Sequence, residues 1–152
     1  MNNLLAFINN PQKLYKTLLG YWIITPLLYL AYAYFIARET HTDVREFLNT
    51  PTVALAFLVS CMTLVMAGLL KLAASENENT LRIFTMYAAF QQLLVGNLIG
   101  LLLALFLSRT LWWEQRERFA PRQRWVLLTG MGLIGFLALL VVLIGLNFFH
   151  IL

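Results

Sequence analysis

The stretch at 52–70 reads TVALAFLVSCMTLVMAGLL and contains no charged residue. A helix needs about 20 apolar residues to cross the hydrocarbon core of a lipid bilayer. Three further stretches of this kind fill most of the chain, so we expect an all-α, polytopic integral membrane protein. The predicted fold is a single four-helix transmembrane bundle over residues 1–152. Its spans are predicted at 17–37, 52–74, 82–108 and 125–149.

The composition excludes an ordinary soluble domain. Of the 152 residues, 61% are hydrophobic and 12% are charged. Soluble domains have about 45–50% apolar and about 25% charged residues, and a soluble fold of this size has too little interior to bury the surplus apolar surface. The single cysteine, Cys61, lies within an apolar stretch and cannot form an intramolecular disulfide.

The first span has recognisable signals at its start. Asn10 followed by Pro11 predicts a helix N-terminus, because Asn is a favoured N-cap and Pro suits the first helical position. Aromatic residues, including Tyr21 and Trp22, fall toward the two ends of this span. We interpret them as an aromatic belt at the two membrane–water interfaces.

The polar stretch between the third and fourth spans is the most distinctive one. It lies at 109–124 and reads RTLWWEQRERFAPRQR. Arginine binds phosphate bidentately and tryptophan prefers the depth of the lipid head groups, so we expect this loop to contact anionic membrane lipid or an acidic partner. An ordinary positively charged cytoplasmic loop with an interfacial belt is the alternative. The residues assigned to the contact are Arg116, Arg118, Arg122, Arg124, Trp112, Trp113 and Trp125.

The distribution of Lys and Arg predicts an orientation, since the cytoplasmic side of a membrane protein carries the larger number. With four spans, one side would hold seven of these residues, namely Arg38, Arg45, Arg109, Arg116, Arg118, Arg122 and Arg124. The other side would hold four, namely Lys13, Lys16, Lys71 and Arg82. We therefore expect a bacterial cytoplasmic membrane with both termini outside the cytoplasm.

Two groups of glycines lie within the predicted spans. The group at 130–135 matches the G-x-G-x-x-G pattern of dinucleotide sites, but it lies inside an apolar span and no acidic residue follows it. The group at 96–100 is a GxxxG pattern that contains an asparagine. Small residues let helices approach closely, and an amide adds a hydrogen bond between them. The residues assigned to helix packing are Gly96, Asn97, Gly100, Gly130, Gly132 and Gly135.

Gln91 and Gln92 are the intramembrane polar residues of the third span, and an amide in hydrocarbon needs a hydrogen-bonding partner. None of the predicted spans has a charged residue or a histidine near the bilayer centre, where ion-coupled pumps usually carry one. No Ser–His or Cys–His nucleophile pair is recognisable, so we expect no catalytic residue. The acidic residues around His41 are typical of a solvated surface, and we expect no metal and no cofactor.

In length, basic charge and number of predicted spans, the chain is similar to the glutathione- and eicosanoid-metabolising membrane enzymes. Those enzymes carry an Arg/Asn/Glu cluster near the second span, whereas the stretch at 52–70 has no charged residue here. The similarity is one of layout, and no activity follows from it.

Three functions from different classes fit these observations. The first is a non-enzymatic membrane subunit, an accessory or assembly partner in a larger complex that binds other subunits or itself. The second is a small transporter or channel built by oligomerisation, with Gln91, Gln92 and Asn97 lining the path. The third is a lipid- or thiol-modifying enzyme with an interfacial site at the Arg/Trp loop, where Glu114 or Glu117 would be the nucleophile or base. We favour the first, and the net charge of +4 predicts anionic lipid rather than nucleic acid as a partner.

Overall fold

The structure, a computed structural model, describes residues 9–39, 50–76, 78–111 and 121–151. The regular structure within these ranges consists of helices, and no strand occurs among them. The prediction of an all-helical chain is therefore confirmed. In chain order the helices are α1 (Pro11–Glu39), α2 (Pro51–Glu76), α3 (Glu78–Leu94), α4 (Leu98–Thr110) and α5 (Pro121–Ile151).

Three of these helices are long and apolar enough to cross a membrane. They are α1, α2 and α5, and their apolar parts run over Pro11–Glu39, Pro51–Ser75 and Trp125–Asn147. The three ranges overlap the first, second and fourth predicted spans. Such helices are typical of an integral membrane protein.

The prediction of four helices is wrong, because the third predicted span is divided into two helices. The division falls at Gly96, whose backbone adopts a φ of +74°. This is the left-handed region that glycine enters without steric cost. The helix before the division has 17 residues and the helix after it has 13.

The end of α3 is a Schellman motif. The N–H of Gly96 donates to the carbonyl of Leu93 at 3.1 Å, and the N–H of Asn97 donates to the carbonyl of Gln92 at 2.9 Å. These two bonds satisfy carbonyls that a helix end otherwise leaves without partners. The glycine therefore stops α3 without exposing unpaired backbone groups.

Asn97, the residue after Gly96, begins the next helix, α4, which runs in a different direction from α3. Asn97 is the N-cap of α4, and its side-chain Oδ1 accepts a 3.1 Å hydrogen bond from the N–H of Gly100. Its carbonyl accepts the first helical bond, from Leu101, at 2.9 Å. The two helices then pack against each other more extensively than any other pair of helices in the described residues. Together α3 and α4 form a helical hairpin with its tip at 95–97.

The beginning of α1 agrees with the prediction. Its helix starts at Pro11, and the Asn10 side chain accepts a 3.1 Å hydrogen bond from the N–H of Lys13. This is the usual bond of an N-cap, and it supplies a partner for one of the first amide groups of the helix. The predicted helix N-terminus is confirmed.

The contacts between helices show which helix ends lie together. The Tyr29 hydroxyl donates to the carbonyl of Val53, so the end of α1 lies beside the start of α2. Only residue 77 separates α2 from α3, which makes these two helices neighbours. Near the other end of α2, Leu69 lies against Gly130, close to the start of α5. The starts of α1, α3 and α5 and the end of α2 therefore share one end of the bundle.

We call this shared end the basic end. Five positively charged residues whose side chains are described lie within two turns of it, namely Lys13, Lys16, Lys71, Arg82 and Arg109. The opposite end is where α1 finishes at Glu39 and α2 begins at Pro51. Among the described helices it carries one cation, Arg38.

The core fills the half of the bundle next to the basic end. In α1 the large side chains that are fully buried are Leu14, Leu18 and Trp22. In α2 burial begins at Ser60, and among the described side chains of α5 it ends at Ala138. The remaining half of α1, apart from Pro26 and Ala37, and the described side chains in that half of α5 are mainly exposed, whereas the side chains at 51–59 in α2 are partly exposed. The reason is that α3 and α4 are short and supply neighbours in one half of the bundle only.

Candidate polar site at the tip of the helical hairpin

A group of polar side chains lies where the hairpin tip meets α1. Gln91 and Gln92 come from the last turn of α3, Asn97 comes from the tip itself, and Tyr21 comes from α1, where Trp22 is the next residue. The sequence predicted three of these five as intramembrane polar or packing residues. The structure adds the two aromatic residues.

The link between the tip and α1 is a hydrogen bond between side chains. The Tyr21 hydroxyl donates to Oδ1 of Asn97 at 2.7 Å. The same oxygen caps α4 through the N–H of Gly100. One amide oxygen therefore fixes both the start of α4 and the position of the tip against α1.

The two glutamines pair with each other in the interior. Gln91 is 1% exposed and Gln92 is fully buried, and Nε2 of Gln92 donates to Oε1 of Gln91 at 2.7 Å. The Nε2 of Gln91 and the Oε1 of Gln92 have no protein partner. Burying an amide group without a partner costs about 1–3 kcal/mol, so the pair retains hydrogen-bonding capacity that the described protein atoms do not use.

The Gln92 amide explains why residue 100 is a glycine. A Cβ atom at Gly100 would lie 2.5 Å from Oε1 of Gln92 and 3.0 Å from Nδ2 of Asn97. These distances are shorter than a carbon atom tolerates, so any larger side chain would displace the amides. Gly100 acts within this chain, as a close contact between α4 and the end of α3.

Trp22 differs from the interpretation made from the sequence. It was assigned to an interfacial belt, yet it is fully buried and packs edge to face against Phe84, with 6.5 Å between ring centroids. Its Nε1 has no hydrogen-bond partner among the residues that the structure describes. The belt assignment is therefore wrong for Trp22, because the hairpin covers this face of α1.

The glycines of α5 divide into two groups. A Cβ at Gly130 would lie 2.9 Å from the Leu69 side chain, and one at Gly135 would lie 3.3 Å from the Tyr87 hydroxyl. That hydroxyl also donates a short hydrogen bond to the carbonyl of Met131. Gly132, by contrast, is exposed and has open space beside it. Two glycines of the predicted set thus face the interior, and one faces outward.

Most of the predicted Arg/Trp contact falls outside the described residues. This applies to Trp112, Trp113, Arg116 and Arg118, and to the side chains of Arg122 and Arg124 in α5. Trp125 is described and is 72% exposed at the start of α5. Its exposure at the basic end is compatible with a position at the depth of the lipid head groups.

The chemistry of the tip is hydrogen bonding between neutral groups. Its side chains are amides, a phenol and an indole, and the described residues bring no three His, Cys, Asp or Glu side chains together. The Oδ1 of Asn97 and the Oε1 of Gln91 accept bonds, while the indole N–H and one amide N–H remain available to donate. This arrangement can hold helices together or bind a neutral polar group.

A local signal for the divided helix was present in the sequence. Glycine is the usual residue just after a helix, and asparagine is a favoured first cap of the next one. Gly96 followed by Asn97 therefore marks a stop and a start. No comparable signal identifies Tyr21 as the partner of Asn97, because 76 positions separate them along the chain. The sequence matches no family model, and comparison with curated proteins and with solved structures gives no significant match.

Proposed function

We propose that this chain is a non-enzymatic integral membrane subunit. In this proposal it acts as an accessory or assembly partner of a larger membrane complex, and its basic end lies against anionic lipid head groups. The observation that carries the proposal is the separation of charge and apolar surface. Five cations with described side chains lie at one end, while the far halves of α1 and α5 expose large apolar side chains. An aqueous environment cannot accommodate that much exposed apolar surface.

The sequence at 112–124 adds to the charge at this end. The described residues on either side of 112–120 are Leu111, just after α4, and Pro121, the first residue of α5. Arginine near an anionic surface contributes about 1 kcal/mol of attraction, and the exposed Trp125 fixes the depth of the neighbouring chain. Anionic phospholipid is the ligand that this combination favours, and an acidic partner surface is the alternative.

The test replaces four arginines with glutamine, at Arg116, Arg118, Arg122 and Arg124. The purified variant and the wild-type chain are reconstituted separately with phosphatidylcholine alone and with added phosphatidylglycerol. We expect the variant to lose the preference for phosphatidylglycerol, and added salt to weaken that preference in the wild type, because exposed charges are screened over about 8 Å at physiological ionic strength. A matched control replaces Arg38, which lies at the opposite end, together with Arg45, the next cation along the chain, and this control keeps the preference.

Two outcomes decide between the alternatives. If the four-arginine variant enriches phosphatidylglycerol as strongly as the wild type, the proposed lipid contact is wrong. If lipid preference is unchanged but a co-purifying acidic protein is lost in mild detergent, the basic end binds protein instead. Gentle purification that yields only an isolated monomer in every condition would contradict the role as a subunit.

The hairpin tip supports a second candidate, an oligomeric small transporter or channel. Irregular backbone at membrane depth is tolerated where it is buried in protein or lines a watery cavity. Within the described part of the chain, Gln91 and Gln92 each have a buried amide atom without a hydrogen-bond partner. Flux of small polar solutes into liposomes tests this candidate. Replacing both glutamines with Met should abolish the flux, whereas unchanged flux would exclude a path through these amides.

A further inference from the structure

The hairpin has consequences for how the chain crosses the membrane. We propose that α3 and α4 form a re-entrant hairpin, which enters the bilayer from the basic end and returns to the same side. The chain then crosses the membrane three times, through α1, α2 and α5. The inference rests on the proposed membrane insertion, and it is independent of the proposed lipid contact.

The lengths of the two helices are the first observation. The 17 residues of α3 extend about 25 Å and the 13 residues of α4 extend about 20 Å, at 1.5 Å per residue. The hydrocarbon core is about 30 Å thick. Each helix alone is therefore too short to cross, although each can reach into the membrane.

The distribution of burial is the second observation. If α3 and α4 continued in one direction, they would cover α1, α2 and α5 along their whole length. Instead, most of the large apolar side chains of α1 beyond Trp22 are exposed, Leu28 at 65% and Phe35 at 60% among them. Among the described side chains of α5 the last buried one is Ala138, and Leu139, Leu143 and Leu146 beyond it are all more than half exposed. The hairpin thus fills only the half of the bundle next to the basic end.

The contacts of the hairpin with the other helices are the third observation. Phe84, in the second turn of α3, packs against Trp22 of α1, and Asn97 at the tip binds Tyr21, the preceding residue of α1. The helix that follows Asn97, α4, also packs against α1. The large, fully buried side chains of α1 all lie at or before Trp22, so α4 runs back along α1 toward the basic end.

The re-entrant hairpin changes the count of positive charges on the two sides. The end of α4 and the start of α5 now lie on the same side as the start of α1. Of the 11 Lys and Arg residues, only Arg38 and Arg45 then belong to the opposite side. The nine on the basic side are Lys13, Lys16, Lys71, Arg82, Arg109, Arg116, Arg118, Arg122 and Arg124.

This count gives a definite orientation. Four crossings would divide the cations seven to four, with the balance decided by one loop, whereas three crossings and a re-entrant hairpin divide them nine to two. Because the more positive side faces the cytoplasm, the basic end and the start of α1 are cytoplasmic. The end of α5 is then on the outside. The N-terminal side of the chain is opposite to the side expected for four spans.

The partner surface follows from the orientation. The cations gathered by the hairpin meet the head groups of the cytoplasmic leaflet, which is the leaflet where anionic lipids produce a negative surface potential. The amide-bearing tip at 95–97 reaches into the membrane from that same side. A lipid ligand of the basic end is therefore a cytoplasmic-leaflet phospholipid.

The test is labelling of single cysteines in the full chain, with the native thiol removed by Cys61→Ser. Ser75→Cys and Thr110→Cys report the two ends of the hairpin, while Glu39→Cys and Leu152→Cys report the opposite end. A membrane-impermeant maleimide is added to intact cells and to permeabilised cells, and denatured samples give the total reactive thiol. This readout does not depend on lipid preference, so its failure is distinct from failure of the proposed lipid contact.

The expected result is that Ser75→Cys and Thr110→Cys react only after permeabilisation, whereas Glu39→Cys and Leu152→Cys react in intact cells. Reaction of the two hairpin positions from opposite sides would show that α3 and α4 cross the membrane together, and it would overturn the re-entrant hairpin. Reaction of both hairpin positions in intact cells would overturn the orientation.

Discussion

Tyr21 in α1 and Asn97 at the hairpin tip are joined by a 2.7 Å hydrogen bond, in which the phenol donates to the amide oxygen. That oxygen also accepts the N–H of Gly100 in the first turn of α4. Among the described residues, this bond joins a side chain of the hairpin tip to a side chain of α1. Loss of the phenol hydroxyl should therefore loosen the hairpin while leaving the cap of α4 in place.

Tyr21→Phe should lower the free energy of unfolding by about 0.6–1.5 kcal/mol, the range measured for single hydrogen bonds inside proteins and membranes. Tyr32→Phe is the matched control, because Tyr32 is 63% exposed, and it should change the free energy little. Thermal unfolding in mild detergent measures both variants. Equal effects of the two substitutions would show that the Tyr21 hydroxyl makes no stabilising bond.

Gly96→Ala should destabilise the hairpin although open space surrounds this position. The reason is the φ of +74°, which costs a residue with a Cβ about 1–2 kcal/mol. Gly96→Asn should cost less, because asparagine enters the left-handed region more easily than other residues. Gly20→Ala is the control in a regular helix with open space, and it should be neutral or stabilising. Comparison of the three melting temperatures tests whether backbone conformation is the cause.

Gly100→Ala should destabilise for a different reason, which is contact with the Gln92 amide. The new Cβ would lie 2.5 Å from Oε1 of Gln92, and overpacking of this kind costs about 1–3 kcal/mol. In a chain that already carries Gln92→Ala, Gly100→Ala should lower the free energy of unfolding much less than it does in the wild type, because the opposing amide is absent. The control Gly132→Ala meets nothing within 4 Å. A double-mutant cycle measured by thermal unfolding would refute the contact if the two effects simply add.

The glutamine pair should behave as a unit. Gln91→Met alone leaves Nε2 of Gln92 without an acceptor, and Gln92→Met alone leaves Oε1 of Gln91 without a donor. An orphaned buried polar group costs about 1–3 kcal/mol, whereas replacing both partners is close to neutral. The double variant should therefore be more stable than the sum of the single variants predicts. Additive losses would mean that the amides act independently.

The long apolar helices follow from the sequence because their signal is uninterrupted. A stretch such as 52–70 has no alternative to a membrane or a buried interior, so helix α2 was predictable from composition and length. Asn10 and Pro11 marked the start of α1 for an equally local reason. In each case the decisive physics lies within a few adjacent residues.

The hairpin was missed because hydropathy is insensitive to a single backbone dihedral angle. The residues around Gly96 are apolar on both sides, so the stretch at 82–108 resembles one span. The φ of +74° and the cap by Asn97 reverse the chain over three residues. The burial of Trp22 was unpredictable for a related reason, since it depends on which helix covers that face of α1.

The most direct test of the account is the distance between the two ends of the hairpin. Spin labels are placed at Glu78→Cys and Thr110→Cys in a Cys61→Ser chain reconstituted in lipid, and their separation is measured by pulsed electron paramagnetic resonance. In a hairpin, packed helices lie 8–10 Å apart and differ by four residues in length, so we expect a separation below about 25 Å. One continuous helix across these 32 steps would give about 48 Å, and that result would contradict the hairpin and the orientation inferred from it.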